Sequence, residues 1–498
     1  IRHRSVSRGL GDVYKRQTDK FTENGMNAYS RLDSNVLSLF GVIGALRNRS
    51  VKDISEMFTN SFRENPELTT KMLFYAGNIR GGLGERRTFR ICLKTLANIA
   101  PKYVENNIKL IPHFNRWDSL FVLTGTKCEK VMWDLIKETF KEDLVNCAKG
   151  NSVSLLGKWM PSENASSPET IHLARRAIGV LGMTSRTYRK ALSRLRHAIR
   201  VVERDMSANN WDEIIYDNVP SYAMKNYSDA FRRHDEDRFN EYVAGLKTGE
   251  SKVNSSVLYP YDLKEKSDRI SGSNMQARNL LQAQWDGLPN YVEGKNNYIV
   301  MADVSGSMSG RPMAMSTSLA VYFAERNKGY FHNLYMTFTD NPHFITLKEN
   351  DDIYQKLAKA EGTDCGYNTN LNKAFDLVLR TGIDNKISND EMPKAIIVIS
   401  DMEIDWISQR DHINDDFVEI QRKKFTKYGY NLPKLVLWNV EARNNTFLGN
   451  SPDLIHVSGG SPSSFKELTG ALDGKTGWDI MIETLNNPMY DCVWIGKV

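Results

Sequence analysis

A chain of 498 residues is long enough for two domains with separate cores, and 10% aromatic with 25% charged residues excludes wholesale disorder. No run of eighteen apolar residues occurs, which excludes a membrane-spanning helix. The net charge of +6 conceals an asymmetry: residues 1–300 hold 46 Lys and Arg against 34 Asp and Glu, while residues 301–498 hold 20 against 26, so a basic front precedes an acidic back.

The first seventeen residues, IRHRSVSRGLGDVYKRQ, have no apolar core and are not a signal peptide. They read as translated sequencing-adapter sequence, a non-native tail over 1–17. From about Thr22 to Asn209 the periodicity is helical with hardly a strand signal. Helices are expected from Asn35, over Lys52 to Arg63, Pro66 to Ile79, Glu85 to Ile99, Lys102 to Leu110, Asp118 to Leu123, Glu129 to Phe140, Thr170 to Leu181 and Ser185 to Met206. Many short helices with short breaks point to a HEAT-like helical repeat. Three more, at Tyr222 to Arg233, Asp237 to Leu246 and Gly272 to Gln284, complete a helical domain over 18–293.

From about Gly294 strands and helices alternate. Tyr298 to Met301, Tyr330 to Thr339, Phe344 to Leu347, Lys394 to Ser400, Lys434 to Val440 and Ile455 to Ser458 read as strands. Pro312 to Arg326, Asp352 to Ala360, Leu371 to Arg380, Asp416 to Tyr428, Ser464 to Leu472 and Trp478 to Leu485 read as helices. The fold class is therefore α + α/β, a helical repeat followed by a doubly wound, mainly parallel sheet over 294–498. Five widely spaced cysteines without a CxxC pair (Cys92, Cys128, Cys147, Cys365, Cys492) fit reduced thiols in a cytoplasmic protein and give no zinc motif.

The most informative stretch is YIVMADVSGSMS, Tyr298 to Ser309. A strand buried on both faces would deliver Asp303 at its carboxyl end, where open α/β sheets bind ligands. Asp303, Ser305 and Ser307 alternate on a turn loosened by Gly306, so one carboxylate and two hydroxyls can converge on a hard divalent cation. The competing reading is that Ser305 and Ser307 only cap the following helix. The D-x-S-x-S pattern resembles the metal-ion-dependent adhesion site (MIDAS) of von Willebrand factor A domains. That family adds a Thr before a helix and an Asp after a later strand. Thr369 in NTNLNKAFDLVL and Asp401 in KAIIVISD hold those positions, and Thr363 in GTDC is the alternative threonine. The resemblance implies Mg²⁺, or Mn²⁺ or Ca²⁺, with an open position for a partner's carboxylate. Glu403 and Asp405 read as rim charges. A haloacid dehalogenase-type phosphatase needs a carboxylate where Ser305 stands, so a nucleophilic role for Asp303 fails.

In the basic half, Tyr188, Leu192, Leu195, Ile199 and Val202 step by four and three along SRTYRKALSRLRHAIRVVER. Arg186, Arg189, Lys190, Arg194, Arg196, Arg200 and Arg204 fall largely opposite that stripe, relieved only by Glu203. The bland reading of such a run is a solvated face; seven mutually repelling cations make phosphate binding the better one. NIRGGLGERR adds Arg80, Arg86, Arg87 and Arg90 around a glycine turn able to approach phosphate oxygens. FNRWD and GKW place Arg116 and Lys158 beside Trp117 and Trp159, a pairing suited to unstacked bases. His113, His197 and His234 have no catalytic companion by spacing.

A basic helical front joined to an A-domain back resembles the Ro autoantigen and its bacterial relatives, the TROVE-module proteins. GTDCGYNTNL and ISDMEID resemble their metal loops. NIRGGLGERR, HFNRWDSL, SLLGKWMPSENAS, YRKALSRLR, VVERDMSANNWDEI and VPSYAMKNYSDAFRRHDE look more closely like an uncharacterised family of plant, viral and bacterial proteins pairing a TROVE-like region with the same A domain. The Ro resemblance implies a ring of helical repeats and a non-enzymatic ribonucleoprotein component, monomeric, without a membrane. It also implies binding of structured, Y-RNA-like noncoding RNA and of single-stranded RNA ends. A MIDAS-dependent protein-interaction scaffold and a metal-dependent nuclease or phosphatase are the alternatives.

Overall fold

The computed structural model describes residues 19–21, 27–29, 32, 34–290, 292, 297–363, 370–403, 415–444, 447, 454–460 and 476–496. The 1–17 tail and the expected Ser464 to Leu472 helix lie outside these residues. The chain divides into two compact units, one of residues 1–72, 81–83 and 255–488, the other of 73–80, 84–254 and 489–498. The sheet unit thus also contains segments 34–72 and 255–290, which the sequence reading placed with the helices.

The sheet unit opens with a short antiparallel hairpin, β1 (Asp19–Phe21) and β2 (Asn27–Tyr29). Its main sheet is built from β3 (Asn297–Ala302), β4 (Leu334–Thr337), β5 (Phe344–Thr346), β6 (Pro393–Ser400), β7 (Lys434–Asn439) and β8 (Leu454–Ser458), in the order β5-β4-β3-β6-β7-β8. All neighbours run parallel except β4 and β5. Every residue of β3 is buried. Tyr298 and Val300 enter one core with Ile397 and Ile399, while Ile299 and Met301 enter the other with Ile396 and Val398. Alternation into two cores is what a sheet covered by helices on both faces requires, and it accounts for the unbroken apolar runs in β3 and β6. The doubly wound sheet and the preceding helical region match the fold class expected from the sequence.

Segment 34–50 braces the β8 side of this sheet. Ser34 caps the Asn35–Val42 helix, its hydroxyl accepting from the Val36 and Leu37 N–H groups. A 3₁₀ turn, Ile43–Asn48, follows, and there Gly44 N–H donates to Ser458 Oγ at 3.1 Å. A Cβ on Gly44 would stand 2.6 Å from the Ser458 carbonyl oxygen and 2.9 Å from the Gly459 Cα. Both obstacles are backbone and cannot rotate aside. Gly44→Ala is therefore expected to lower stability by about 2 kcal/mol, read as a shift in denaturant midpoint, as over-packing does elsewhere.

In the second unit the expected helices form with altered ends. The helix from Glu129 runs on to Ala148. The expected Lys102 to Leu110 helix divides into Pro101–Asn106 and Leu110–Phe114, and Asp118 to Leu123 lies in a 3₁₀ turn, Trp117–Leu123. The long helix expected over Ser185 to Met206 also divides, into Ser185–Ala198 and Val202–Ser207. The break is a helix-ending turn: Val201 N–H bonds back to the Arg196 carbonyl, and Arg200 stands at φ 47°, a left-handed position where glycine is usual. The final segment belongs to this unit: Tyr490 packs 5.5 Å from Phe114, and Trp494 exchanges two hydrogen bonds with Asn107.

The Pro260–Ser267 helix was not foreseen, because PYDLKEKS carries no apolar stripe. Most of it is nevertheless buried, including Lys264, whose ammonium pairs with Glu361 at 2.8 Å and with Asp268. In the sheet unit Tyr330 to Thr339 shortens to β4, its start taken by a 3₁₀ turn, Gly329–Phe331. No described helix is long and apolar enough to cross a membrane.

Candidate functional site

β3 and β6 are adjacent, and the connections that follow them leave toward opposite edges of the sheet, which opens a crevice at their carboxyl ends. Asp303 follows β3 and Asp401 follows β6, so both carboxylates are delivered there, 3% and 2% exposed. Asp303 Oδ1 accepts from Ser305 N–H at 2.9 Å and its Oδ2 from Ser400 Oγ at 2.7 Å. Burial, added to by the neighbouring Asp401 charge, raises the Asp303 pKa above the usual carboxylate range despite these bonds.

Asp401 Oδ1 accepts from Glu403 N–H at 3.1 Å, whereas among the described residues its buried Oδ2 has no hydrogen bond. Arg443 Nη2 lies 3.4 Å from that oxygen, and the same nitrogen donates to the Ser307 carbonyl. Arg443 is held in place from segment 34–50. Its carbonyl accepts from Arg49 Nη1 at 2.8 Å, and Ala442 N–H donates to the Ala45 carbonyl at 2.9 Å. Met402, next to Asp401, is buried at φ 64°, a strained backbone position for a side chain of this size.

Ser305 and Ser307 turn their hydroxyls toward each other at 3.1 Å. The reading of these serines as helix caps fails: Gly310 precedes the Arg311–Arg326 helix, and neither that helix nor the Gly306–Met308 turn has a side-chain cap. Two buried carboxylates, one with an orphaned oxygen, beside a hydroxyl pair form an oxygen-only donor set of the kind hard divalent cations take. The residues present thus fit such an ion. Thr369 lies outside the described residues, as does Asp405. Thr363 is engaged elsewhere, with Tyr335 Oη at 2.6 Å and the Lys359 carbonyl at 3.2 Å. Glu403 is not a rim charge as expected; it is 5% exposed and accepts from Asn444 Nδ2 at 3.2 Å.

In the helical unit, Tyr188, Leu192 and Leu195 are buried along the Ser185–Ala198 helix, as its stripe requires. Arg186, Arg189, Lys190, Arg194 and Arg200 are exposed, and among the described residues none has a carboxylate within ion-pairing distance. Arg196 departs from expectation. It is half-buried and donates to the Gly157 carbonyl at 3.1 Å, the Met160 carbonyl at 3.0 Å and Ser162 Oγ at 3.1 Å, so it fastens the 157–162 segment, which leaves the short Leu156–Trp159 helix, and has a structural role. Its position within the helical arc of arginines gave no warning of this.

The second arginine group is organised by Asp118, which no motif or periodicity singled out. Arg86, Arg90 and Arg116 all approach Asp118 Oδ2, at 2.9, 2.8 and 2.7 Å, leaving two positive charges in excess. Burial pulls the pKa values of Arg86 and Arg116 below the ordinary guanidinium value, though Asp118 offsets part of the effect. The Arg116 guanidinium lies over the Trp159 ring at 3.5 Å, with Lys158 5.7 Å from the same ring. Trp159 is half-buried, so one aromatic platform is shared by two cations. Arg80 and Arg87 are exposed on either side of the glycine turn.

Residues 297–473 match a family model described as a domain of unknown function (DUF7788), and residues 176–295 match another domain of unknown function (DUF2828). An uncharacterized protein of Acanthamoeba polyphaga mimivirus is 27% identical over 495 residues, spanning 91% of this chain and 84% of that protein. The crystal structure of the Deinococcus radiodurans RO (RSR) protein aligns over 91% of this chain and 99% of its own, with 12% identity and a TM-score of 0.44. The boundary between the two matched models falls at 295–297, immediately before β3. The crevice carboxylates lie within the first model and the Ser185–Ala198 helix within the second.

Proposed function

We propose that this chain is a non-enzymatic RNA-binding protein, a ribonucleoprotein component that holds structured, Y-RNA-like noncoding RNA and single-stranded RNA ends on its helical unit. The observation carrying this reading is the row Arg186, Arg189, Lys190, Arg194 and Arg200, exposed along one helix and its terminal turn and, among the described residues, without carboxylate partners. Unpaired like charges at helical spacing cost stability, and a phosphate backbone relieves them. Arg200 adds backbone strain to that cost. Arg116 and Lys158 at Trp159 extend the basic surface with an aromatic ring, Arg86 adds a charge at Asp118, and Arg80 and Arg87 flank the glycine turn.

Binding of RNA to the purified protein across a salt titration tests this. Five phosphate contacts give a log–log slope of about −3.5 to −4.5, and a slope near zero would remove the reading.

The crevice of the sheet unit is proposed to hold Mg²⁺, or Mn²⁺ or Ca²⁺, through Asp303, Ser305, Ser307 and Asp401, with Thr369 completing the set. A bound ion would supply an open position for an acidic group of a partner protein. The buried, hydrogen-bond-free Asp401 Oδ2 supports this part. The protein is proposed to act in the cytoplasm as a monomer.

A further inference from the structure

Beside the basic helix lies a cavity of about 630 Å³, within the range of sites that enclose small organic ligands. The buried side chains of Tyr188 and Leu192 lie beneath it, and Lys158, Arg189 and Arg204 bring cations to it. Glu163 and Glu203 also reach it, which a purely phosphate-binding groove would not need.

The walls are fixed from outside. Arg196 fastens the 157–162 segment to the helix, and Tyr188 Oη donates to the Pro161 carbonyl at 2.7 Å. The left-handed turn at Arg200 redirects the chain, so Val201 and the Val202–Ser207 helix supply the remaining side. Both carboxylates are oriented by hydroxyls: Ser185 Oγ donates to Glu163 Oε1 at 2.9 Å, and Tyr227 Oη to Glu203 Oε1 at 3.2 Å. Among the described residues, Oε2 of each has no hydrogen bond. The cavity therefore offers oriented acceptors and, among the described residues, cations with no carboxylate partner at Lys158 and Arg189.

We infer that this cavity takes one unstacked nucleotide of a single-stranded RNA, a reading that rests on the RNA-binding function proposed above. Lys158 and Arg189 hold the phosphate, and Glu163 and Glu203 accept from the Watson–Crick edge of the base. Carboxylates reward N–H donors, so guanine, with adjacent donors at N1 and N2, is favoured over uracil, with one.

Ser193, exposed on the cavity wall, provides the test. Ser193→Trp fills the space without changing charge. Binding is measured by fluorescence anisotropy with a ten-nucleotide single strand ending in guanine, the same strand ending in uracil, and a blunt RNA duplex. The expected result is a loss of about tenfold for the guanine-ended strand with duplex binding unchanged. Glu163→Gln with Glu203→Gln is expected to abolish the guanine preference while leaving uracil-ended affinity equal or higher, since two negative charges are removed. Unchanged single-strand affinity in Ser193→Trp, or equal losses for strand and duplex, overturns the inference and leaves the basic face intact. Guanosine monophosphate binding as tightly as the oligonucleotide also overturns it, pointing to a free nucleotide as ligand. Absence of any RNA binding by the unaltered protein removes both readings together.

Discussion

Reversing Arg189, Arg194 and Arg200 together to glutamate is expected to weaken RNA binding by about two to three orders of magnitude at physiological salt. Each phosphate contact removed forfeits about 0.7 to 0.9 in the log–log salt slope, worth roughly fivefold at 0.15 M salt, and the new carboxylates add repulsion. The slope itself is expected to fall by about 2 to 3. Thermal stability is expected to hold, because these side chains are exposed and pair with no carboxylate, and removing mutual repulsion offsets the substitution. Arg196→Ala is the informative contrast. It strips three acceptors of their donor and frees the 157–162 segment, so a stability loss on the order of 2 kcal/mol should accompany it. Equal RNA-binding losses in both variants without a stability difference would show that the two kinds of arginine are not distinct.

That contrast marks where the sequence stopped being legible. Strands buried on both faces announced themselves as apolar runs, because Tyr298 to Ala302 in β3 and Ala395 to Ile399 in β6 alternate between one core and the other. The crevice at their ends was readable for the same reason: a strand end fixes where the next carboxylate goes, and Asp303 and Asp401 followed two such ends. Helix faces were readable only in outline. Periodicity separated Tyr188 and Leu192 from the arginines, but arc position alone could not tell Arg196, which reaches back to loop carbonyls, from Arg194, which does not. Nor could it show that the helix ends before Arg200, since a non-glycine residue in the left-handed region carries no signal against continuation.

The remaining failures were long-range. PYDLKEKS hides a buried helix because Lys264 is neutralised by Glu361, almost a hundred residues later. Asp118 gains its meaning from Arg86 and Arg90 on another helix. Arg443 stands alone in EARNN, and only the fold brings it to Asp401 and the Ser307 carbonyl.

Arg443→Gln is expected to tighten divalent-cation binding in the crevice by about tenfold and to lower the stability of the metal-free protein. The guanidinium is the cation now facing the orphaned oxygen of Asp401, the oxygen a divalent ion would use. A monovalent and a divalent cation about 5 Å apart repel by about 1.7 kcal/mol even at the dielectric constant of water, enough for more than tenfold in affinity. Without Mg²⁺, the same arginine offsets carboxylate charge held at 3% and 2% exposure, so its loss leaves Asp303 and Asp401 poorly compensated. The two effects have opposite signs, and one experiment reads both: the melting temperature of Arg443→Gln should lie below that of the unaltered protein in chelator and rise more steeply with added Mg²⁺. Asp303→Ala supplies the reference, with no Mg²⁺-dependent rise in either background. If the unaltered protein and Arg443→Gln respond equally to Mg²⁺, the arginine does not compete for the crevice. If neither responds, Asp303, Ser305, Ser307 and Asp401 hold no ion, and Arg443 is their permanent counter-charge.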